Sequence, residues 1–253
     1  MAEARTIDEQ HRSVQKNTDF SLFKRSEAFR HNPSIGEGKL RSANLSLHYD
    51  TRKYIDAGFF TFPDETQESW MLGLAAEIAG KRFFGGDFEF VRVSAQLQRR
   101  QFTFGTGTVA ILANLRWSAG SLPLQRNFIS PARTREIGTS GALRTVGAEG
   151  IKGNRLASLQ AEHDFGSMVF RSLGIELLNN LHFKLYIGSA WSDDSNQSGN
   201  NTLLGGLVAK RVFYEAGFGL SMVAPIPLAL DFTWRLTHRD GNNFAVTFGS
   251  ALF

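Results

Sequence analysis

Apolar and polar residues alternate one by one over long stretches of this chain, and this period of two constrains the fold more than any other feature. In residues 41–50, RSANLSLHYD, one face carries Ala43, Leu45, Leu47 and Tyr49, and polar side chains share the other face. Successive side chains of a β-strand point to opposite faces, so the alternation predicts a strand with one apolar and one polar face. The same pattern recurs at residues 91–98, 108–117, 182–187, 228–237 and 243–248.

The predicted strands are long, and we expect about ten to twelve of them. Several reach about ten residues, compared with about 5–6 residues for most strands of soluble sheets. A tilted strand needs about 9–11 residues to span a bilayer, and such strands with one apolar face are typical of transmembrane β-barrels. The pattern therefore predicts an all-β chain, folded as an antiparallel transmembrane β-barrel. Aromatic residues near strand ends would form its interfacial girdle: Tyr49, Phe88, Trp117, Trp191 and Trp234.

Alternation alone leaves a second fold open, a soluble antiparallel barrel or sandwich whose apolar faces point inward. The chain has no run of 18 apolar residues that would form a transmembrane helix, and its first ten residues carry no apolar signal core. Residues 1–40 are polar and mixed, and we interpret them as a partial strand or a linker. Residues 41–253 are assigned to the barrel.

Several functions are disfavoured by what the sequence lacks. It contains no cysteine, and its six histidines show no paired zinc-ligand spacing, so we expect neither a metal site nor a cofactor. The net charge of +4 is spread along the chain, which disfavours nucleic-acid binding. No G-x-S-x-G elbow is present, and the glycines at 84–88 and 105–108 precede no helix in a βαβ unit, so we expect no enzyme.

Four segments follow one another in an order that resembles a known family: YDTRK (49–53), GGDFEFVRV (85–93), LRTVGAEGIKGNR (143–155) and LASLQAEHDF (156–165). The order is similar to that in the C-terminal barrel of the bacterial surface-antigen superfamily, which includes the barrels of the BAM and TAM assembly machines and of two-partner secretion transporters. Residues 148–170, AEGIKGNRLASLQAEHDFGSMVF, and 214–239, YEAGFGLSMVAPIPLALDFTWRLTHR, resemble in particular an uncharacterised branch in which a carboxypeptidase-regulatory-like domain precedes the barrel.

The resemblance covers about residues 40 to 253 and implies a function and a location. It implies an outer-membrane barrel of a Gram-negative bacterium that acts in protein insertion, translocation or surface export. The expected partners are outer-membrane lipid and client or periplasmic proteins. A passive pore or an anchor barrel stays open as an alternative. Since barrels of this superfamily usually have sixteen strands, the chain would be the C-terminal part of such a barrel or a smaller barrel.

The resemblance also implies where the functional side chains lie. The family arginine matches Arg144, whose loop would fold into the lumen, and Glu162 matches a glutamate of the barrel wall. A guanidinium can grip a carboxylate with two parallel bonds, so we expect a clasp between these two residues. Two positions depart from the family pattern. Thr145 replaces the glycine that follows the arginine, and Tyr186 replaces a second acidic residue two positions before a glycine.

Other residues on the predicted inward faces would form a lumen network, and the last strand would form a weak seam with the first strand. The network residues are His182, Lys184, Tyr186, Asp231 and Arg235. The seam residues are Phe244, Val246, Phe248 and Phe253. Phe253 is one residue out of phase with the other three, and a bulge near Gly249 would restore the phase.

Overall fold

The computed structural model describes residues 2–11, 38–56, 58, 61–64, 67–103, 105–131, 141–147, 150–174, 178, 180–194, 207–222, 228–239 and 243–249. Its strands are β1 (Ala2–His11), β2 (Gly38–Asp50), β3 (Tyr54–Asp56), β4 (Thr61–Pro63), β5 (Ser69–Ala79), β6 (Phe90–Thr103), β7 (Gly107–Gly120), β8 (Phe128–Ile129), β9 (Lys152–Gly153), β10 (Arg155–Asp164), β11 (Leu181–Asp193), β12 (Phe213–Met222), β13 (Leu228–Arg235) and β14 (Phe244–Phe248). Two short helices, α1 (Lys81–Phe84) and α2 (Met168–Ser172), and a 3₁₀ turn at Leu124–Arg126 complete the described elements. None of the described helices is long and apolar enough to cross a membrane.

Ten strands form one antiparallel sheet in which neighbours along the chain are neighbours in space. The order is β1-β2-β5-β6-β7-β10-β11-β12-β13-β14, and two small sheets, β3-β4 and β8-β9, lie outside it. β1 and β14 are the edges, and over the described residues they pair with β2 and β13 but not with each other. The predicted all-β, antiparallel fold is therefore confirmed.

The first strand lies within residues 1–40, the segment that the sequence assigns to a partial strand or a linker. β1 pairs with β2 from Ala2 opposite Leu47 to His11 opposite Gly38. The sheet therefore begins before residue 41.

The two faces of the large sheet differ in chemistry, and we name them by the residues of β10. The inner face carries Ser158, Gln160 and Glu162, and the outer face carries Leu159, which lies between them in sequence. The register of the ladders extends both faces across the sheet, since residues opposite each other share a face. Polar side chains on the inner face are buried: Ser42, Glu77, Asn114, Ser118, Ser158, Gln160, Glu162, Ser192, Glu215, Asp231, Thr233 and Thr247.

The outer face is apolar and exposed. Leu115 is 63% exposed, Ile187 is 61% exposed and Leu159 is 50% exposed. A sheet with one solvated face normally places its apolar residues on the core side and its polar residues in water. This sheet has the reverse arrangement. Further exposed apolar residues of the outer face are Leu45, Leu47, Leu74, Ile78, Val91, Val93 and Leu185.

The tryptophan and tyrosine side chains of the outer face lie near the ends of the strands, whereas Phe218 and Phe232 stack on each other in the middle of β12 and β13. We call the end with the connections 12–37, 80–89, 121–154, 194–212 and 236–243 the long-loop end, and the end with the connections 51–68, 104–106, 165–180 and 223–227 the short-turn end. Trp117, Trp191, Tyr214, Trp234 and Phe244 lie near the long-loop end, and Tyr49, Trp70 and Phe248 lie near the short-turn end.

Phe88, which the sequence groups with these aromatics, lies elsewhere. It precedes β6 and packs against a buried cluster of Leu40, Ala79 and Phe90. The alternation could not place it, because Phe88 lies in a connection rather than in a strand.

The main apolar core lies against the inner face, under the connection between β7 and β10. We call the described residues of this connection, 121–131, 141–147 and 150–154, the inner loop. The inner loop folds back onto β10, β11 and β12, and this packing brings Arg144 to the wall of the sheet. The cluster consists of Phe128, Leu143, Val146, Ile151, Leu156, Ala190, Ala209 and Phe213.

Candidate functional site

Arg144 lies where the inner loop meets the inner face of the sheet, and only 4% of it is exposed. Its Nη2 donates to Oε2 of Glu162, and its Nη1 lies 3.5 Å from Oδ1 of Asp231. Burial alone would lower the pKa of the Arg144 guanidinium, but the carboxylates of Asp231 and Glu162 raise that pKa above its usual value. The guanidinium is therefore charged, and it bridges β10 and β13.

Tyr186 and Lys184, both on the inner face of β11, complete the surroundings of the guanidinium. The centre of the Tyr186 ring lies 3.8 Å from Cζ of Arg144, which is a cation–π contact. Lys184 Nζ donates to Oε1 of Glu162 at 3.2 Å. An aromatic ring thus faces the arginine from the position where the resemblance implies an acidic residue.

Glu215 on β12 holds the backbone of the inner loop, although the sequence pattern does not predict it. Its Oε1 accepts hydrogen bonds from the backbone N–H of Arg144 and from the hydroxyl of Tyr186, both at 2.7 Å. Its Oε2 accepts from the backbone N–H of Thr145 at 2.8 Å and from the Thr145 hydroxyl at 2.6 Å. Four donors therefore converge on one carboxylate that is 1% exposed.

A signal for Glu215 is present in the sequence one strand further along. The resemblance implies an acidic residue two positions before a glycine, and on β12 Glu215 stands two positions before Gly217. Gly188 on β11 lies directly opposite Glu215. A Cβ at Gly188 would lie 2.5 Å from the Tyr186 hydroxyl and 3.0 Å from Cγ of Glu215, so this glycine leaves room for their hydrogen bond.

β13 contributes Asp231 and Arg235 to the same cluster. Asp231 is 1% exposed, and a Cβ at the opposite residue, Gly219, would lie 2.1 Å from its Oδ1. Arg235 donates through Nη2 to the backbone carbonyl of Thr145. The loop segment at Arg144 and Thr145 is therefore held by side chains of four adjacent strands.

His182 was predicted to belong to the lumen network, but it lies apart from this cluster. Its Nδ1 is 3.3 Å from Oδ2 of Asp164 at the short-turn end, and both side chains are partly exposed. The structure thus brings Lys184, Tyr186, Asp231 and Arg235 together around Arg144, but places His182 in a separate pair.

The expected seam residues lie on the outer face of β14. Phe244 is 45% exposed and Phe248 is 53% exposed, and Val246 shares their face. Phe253 lies outside the described residues. Gly249, near which a bulge was expected, has a φ of 66°, a conformation that favours glycine.

A second buried group, Glu77 with Arg92, holds the part of the inner loop around Phe128 against β6. The sequence pattern does not predict this contact. Glu77, 4% exposed, accepts hydrogen bonds from Ser42 Oγ at 2.7 Å and from Arg92 Nη1 at 2.9 Å. Cζ of Arg92 lies 4.6 Å from the ring centre of Phe128 in the inner loop. The inner loop is therefore attached to two separate parts of the wall.

No protein-family model matches this chain, and no curated protein is significantly similar to it. Within the described ranges, histidine and acidic residues form no group of three that could hold a metal ion. The carboxylates around Arg144 are instead engaged by cations and hydrogen-bond donors of the chain itself.

The cluster suits a fixed link between the inner loop and the wall. Each buried charge in it faces an opposite charge or several donors, as the contacts of Arg144, Glu162 and Glu215 show. An intact buried ion pair adds little net stability, whereas removal of one partner leaves an uncompensated charge and is strongly destabilising. We therefore expect the link to select one position of the loop more than it strengthens the whole fold.

Replacing Tyr186 with phenylalanine is expected to lower the free energy of unfolding by about 1–2 kcal/mol, because Glu215 then loses a buried hydrogen-bond donor. The ring under Arg144 is retained, so the variant isolates the hydroxyl. Urea unfolding measures the effect. Tyr214→Phe is the control, since Tyr214 is 47% exposed and its change should stay within about 0.5 kcal/mol. Equal stability of the two variants would contradict a role for the Tyr186 hydroxyl.

Proposed function

We propose that this chain is an outer-membrane β-barrel of the surface-antigen type, acting in protein insertion, translocation or surface export in a Gram-negative bacterium. The observation that carries the proposal is the reversed polarity of the sheet, with exposed apolar residues outside and buried polar residues inside. Lipid is the surrounding in which such an outer face is stable, since the outward band of a transmembrane barrel is apolar and its interior polar.

The extent of the apolar face supports a membrane span. On β5 the outward residues run from Trp70 to Ile78, eight steps along the chain, or about 27 Å along the strand at about 3.4 Å per residue. With the usual tilt of about 35–45°, this corresponds to about 19–22 Å across the membrane, close to the apolar band of about 25 Å in known barrels. Aromatic residues at both strand ends match the two interfacial girdles of such barrels.

The strand connections give the orientation in this proposal. The connections at the long-loop end are longer on average than those at the other end, although 51–68 and 165–180 at that other end are not tight turns. Since transmembrane barrels have short periplasmic turns and longer extracellular loops, the long-loop end lies outside the cell in this proposal. The inner loop then enters the lumen from the extracellular side, and Arg144 fixes it there.

The two edges of the sheet supply the mechanism. Closing the sheet into a barrel requires β1 to pair with β14, because an open sheet edge is not stable in the hydrocarbon region. Over the described residues, β14 pairs with β13 at five positions, from Phe244 to Phe248, and this is the shortest ladder described in the ten-stranded sheet. A seam formed with such a strand has few hydrogen bonds, and an exposed edge can pair with a strand of a client protein.

The proposal involves no reaction and no cofactor, and its partners are outer-membrane lipid and client or periplasmic proteins. Nucleic acid has no part in it. The network around Arg144 would hold one arrangement of the lumen while the seam opens and closes.

A passive anchor barrel is the second candidate, and the inner loop favours it over an open pore. A pore requires a water-filled lumen, whereas the inner loop packs an apolar cluster against β10, β11 and β12. A barrel filled in this way could hold a periplasmic or surface domain without moving a client.

Gel migration and detergent partitioning test the barrel itself. The folded chain is expected to partition into detergent and to migrate differently on SDS gels before and after heating. A soluble β protein that binds a small ligand, the remaining alternative, would show neither property.

A disulfide across the seam tests the difference between assembly and anchoring. Because the chain has no cysteine, a cysteine at Val246 can be combined with one at successive positions of β1. The locked barrel is expected to lose the insertion of a client barrel into liposomes and to recover it on reduction. Ala95→Cys with Leu115→Cys, opposite each other on β6 and β7, is the matched control and should leave insertion unchanged. Full insertion by the seam-locked protein would favour the anchor.

A further inference from the structure

The inner face of β2, β5, β6 and β7 contains a hollow of about 90 Å³. The register of these strands produces it. One row across the sheet consists of His48, Gly73, Gln96 and Asn114, and the next row consists of Ser46, Ala75, Ser94 and Arg116. The small residues in the middle of the rows form the floor, and the longer side chains surround it.

The long side chains around the hollow are hydrogen-bond donors. Arg116 carries five N–H groups, and its Nη1 donates to the backbone carbonyl of Ile129 at 2.8 Å. Asn114, 4% exposed, has two N–H groups, and its Nδ2 donates to Ser158 Oγ at 3.2 Å. Gln96 adds a second side-chain amide, and His48 adds an imidazole.

The charge of Arg116 is uncompensated in the described part of the chain. Arg92, its diagonal neighbour on the inner face, has Glu77 as a partner at 2.9 Å. Arg116 forms no ion pair with a described residue, and its Cζ lies 6.0 Å from the Phe128 ring that Arg92 also contacts. A partly buried charge is costly without an opposite charge or enough hydrogen bonds. Arg92 and Arg116 therefore share a single neighbouring carboxylate, that of Glu77, among the described residues.

We propose that this hollow binds a small oxyanion of the size of phosphate or sulfate. Arg116 supplies the positive charge, the side-chain amides of Gln96 and Asn114 supply donors, and His48 closes the site. The hollow, of about 90 Å³, is small, and an oxyanion of this size fits among the donors that surround it. The site depends on the inner face alone, so it goes beyond the proposed function and does not depend on what covers the outer face.

Calorimetric titration of the folded, full-length chain with inorganic phosphate tests the site. Saturable binding of one phosphate per chain is expected, with competition by sulfate and none by chloride. Arg116→Gln is expected to weaken binding at least tenfold. Gly73→Val should block it, because the new side chain enters the hollow while Arg116 is unchanged. A Cβ at Gly73 meets no atom closer than 3.5 Å, so this position accepts a side chain.

Matched variants make the result decisive. Arg100→Gln removes an equal charge from the inner face of β6, outside the hollow, and should bind phosphate as the unchanged chain does. Far-ultraviolet circular dichroism shows whether each variant folds. Gly73→Ala replaces Gly73→Val, and Arg116→Lys replaces Arg116→Gln, if the first variant does not fold. Titration with acetate shows whether the site prefers a carboxylate to phosphate. Titration with adenosine monophosphate shows whether it prefers a larger phosphate ester. Absence of saturable phosphate binding, or equal binding by the Gly73 variants, would overturn the proposal. Gel migration of the same variants tests the barrel separately.

Discussion

Replacing Arg144 with methionine is expected to lower the free energy of unfolding by about 3–5 kcal/mol, the cost of leaving one partner of a buried ion pair without the other. Glu162 and Asp231 both face the guanidinium. Glu162 is 5% exposed and Asp231 is 1% exposed. Methionine keeps much of the length of the side chain but none of its charge or donors. Urea unfolding of the folded chain measures the loss.

A double-mutant cycle separates the clasp from general damage to the loop. Arg144→Met and Glu162→Gln are combined, and we expect a coupling energy above about 1 kcal/mol, within the range measured for residues of one ion-pair network. Glu162 also pairs with Lys184, so the double variant should remain less stable than the unchanged chain. A coupling energy near zero would contradict the clasp. Arg144→Lys is used where the methionine variant does not fold, since lysine keeps the charge but not the planar fork.

The exposed pair of Arg52 and Asp50 provides the control. Its side chains lie 2.7 Å apart with 28% and 31% of their surfaces exposed. The same cycle there, with Arg52→Met and Asp50→Asn, should give at most about 1 kcal/mol, because exposed ion pairs are weakened by solvent. The difference between the two cycles then reports the effect of burial in the cluster around Arg144.

Local alternation predicts six strands of the large sheet and the residues that share a face within them: β2, β6, β7, β11, β13 and β14. On β7, Val109, Ile111, Leu115 and Trp117 share the outer face as the period of two predicts. Alternation could not explain Leu112, an apolar residue on the inner face that is 2% exposed. Leu112 is buried because the inner loop packs against it: a Cβ at Gly141 would lie 2.8 Å from Cδ2 of Leu112.

The clasp is predicted by a motif, and the alternation places Lys184, Asp231 and Arg235 on the inward face where the structure brings them to the cluster. Arg144 and Glu162 were identified by the resemblance, and they lie 18 positions apart in the sequence. Glu215 lies 71 positions from Arg144, and its contact depends on how four strands align and on how the loop returns to them. Neither composition nor periodicity determines that alignment. The same holds for Arg92 and Phe128, which meet only because the inner loop folds against β6.

The second large effect concerns the outer face. If this face meets lipid, Leu159→Arg places a charge in the apolar band and is expected to cost about 2–4 kcal/mol, as arginine does near the midplane of other barrels. Leu159 is 50% exposed and lies at the centre of β10. Urea-dependent folding into phospholipid vesicles measures the cost.

Two matched variants show whether depth in the bilayer is the cause. Leu173, beyond α2 and outside the sheet, is 66% exposed, and Leu173→Arg should change stability by no more than about 0.5 kcal/mol. Tyr214→Arg lies on the outer face near the long-loop end, where the cost in a bilayer falls to about 0–1 kcal/mol. A large effect at Leu159 with small effects at both other positions requires an apolar layer around the middle of the sheet. Small effects at all three positions would indicate that water surrounds the outer face, and the membrane proposal would then be wrong.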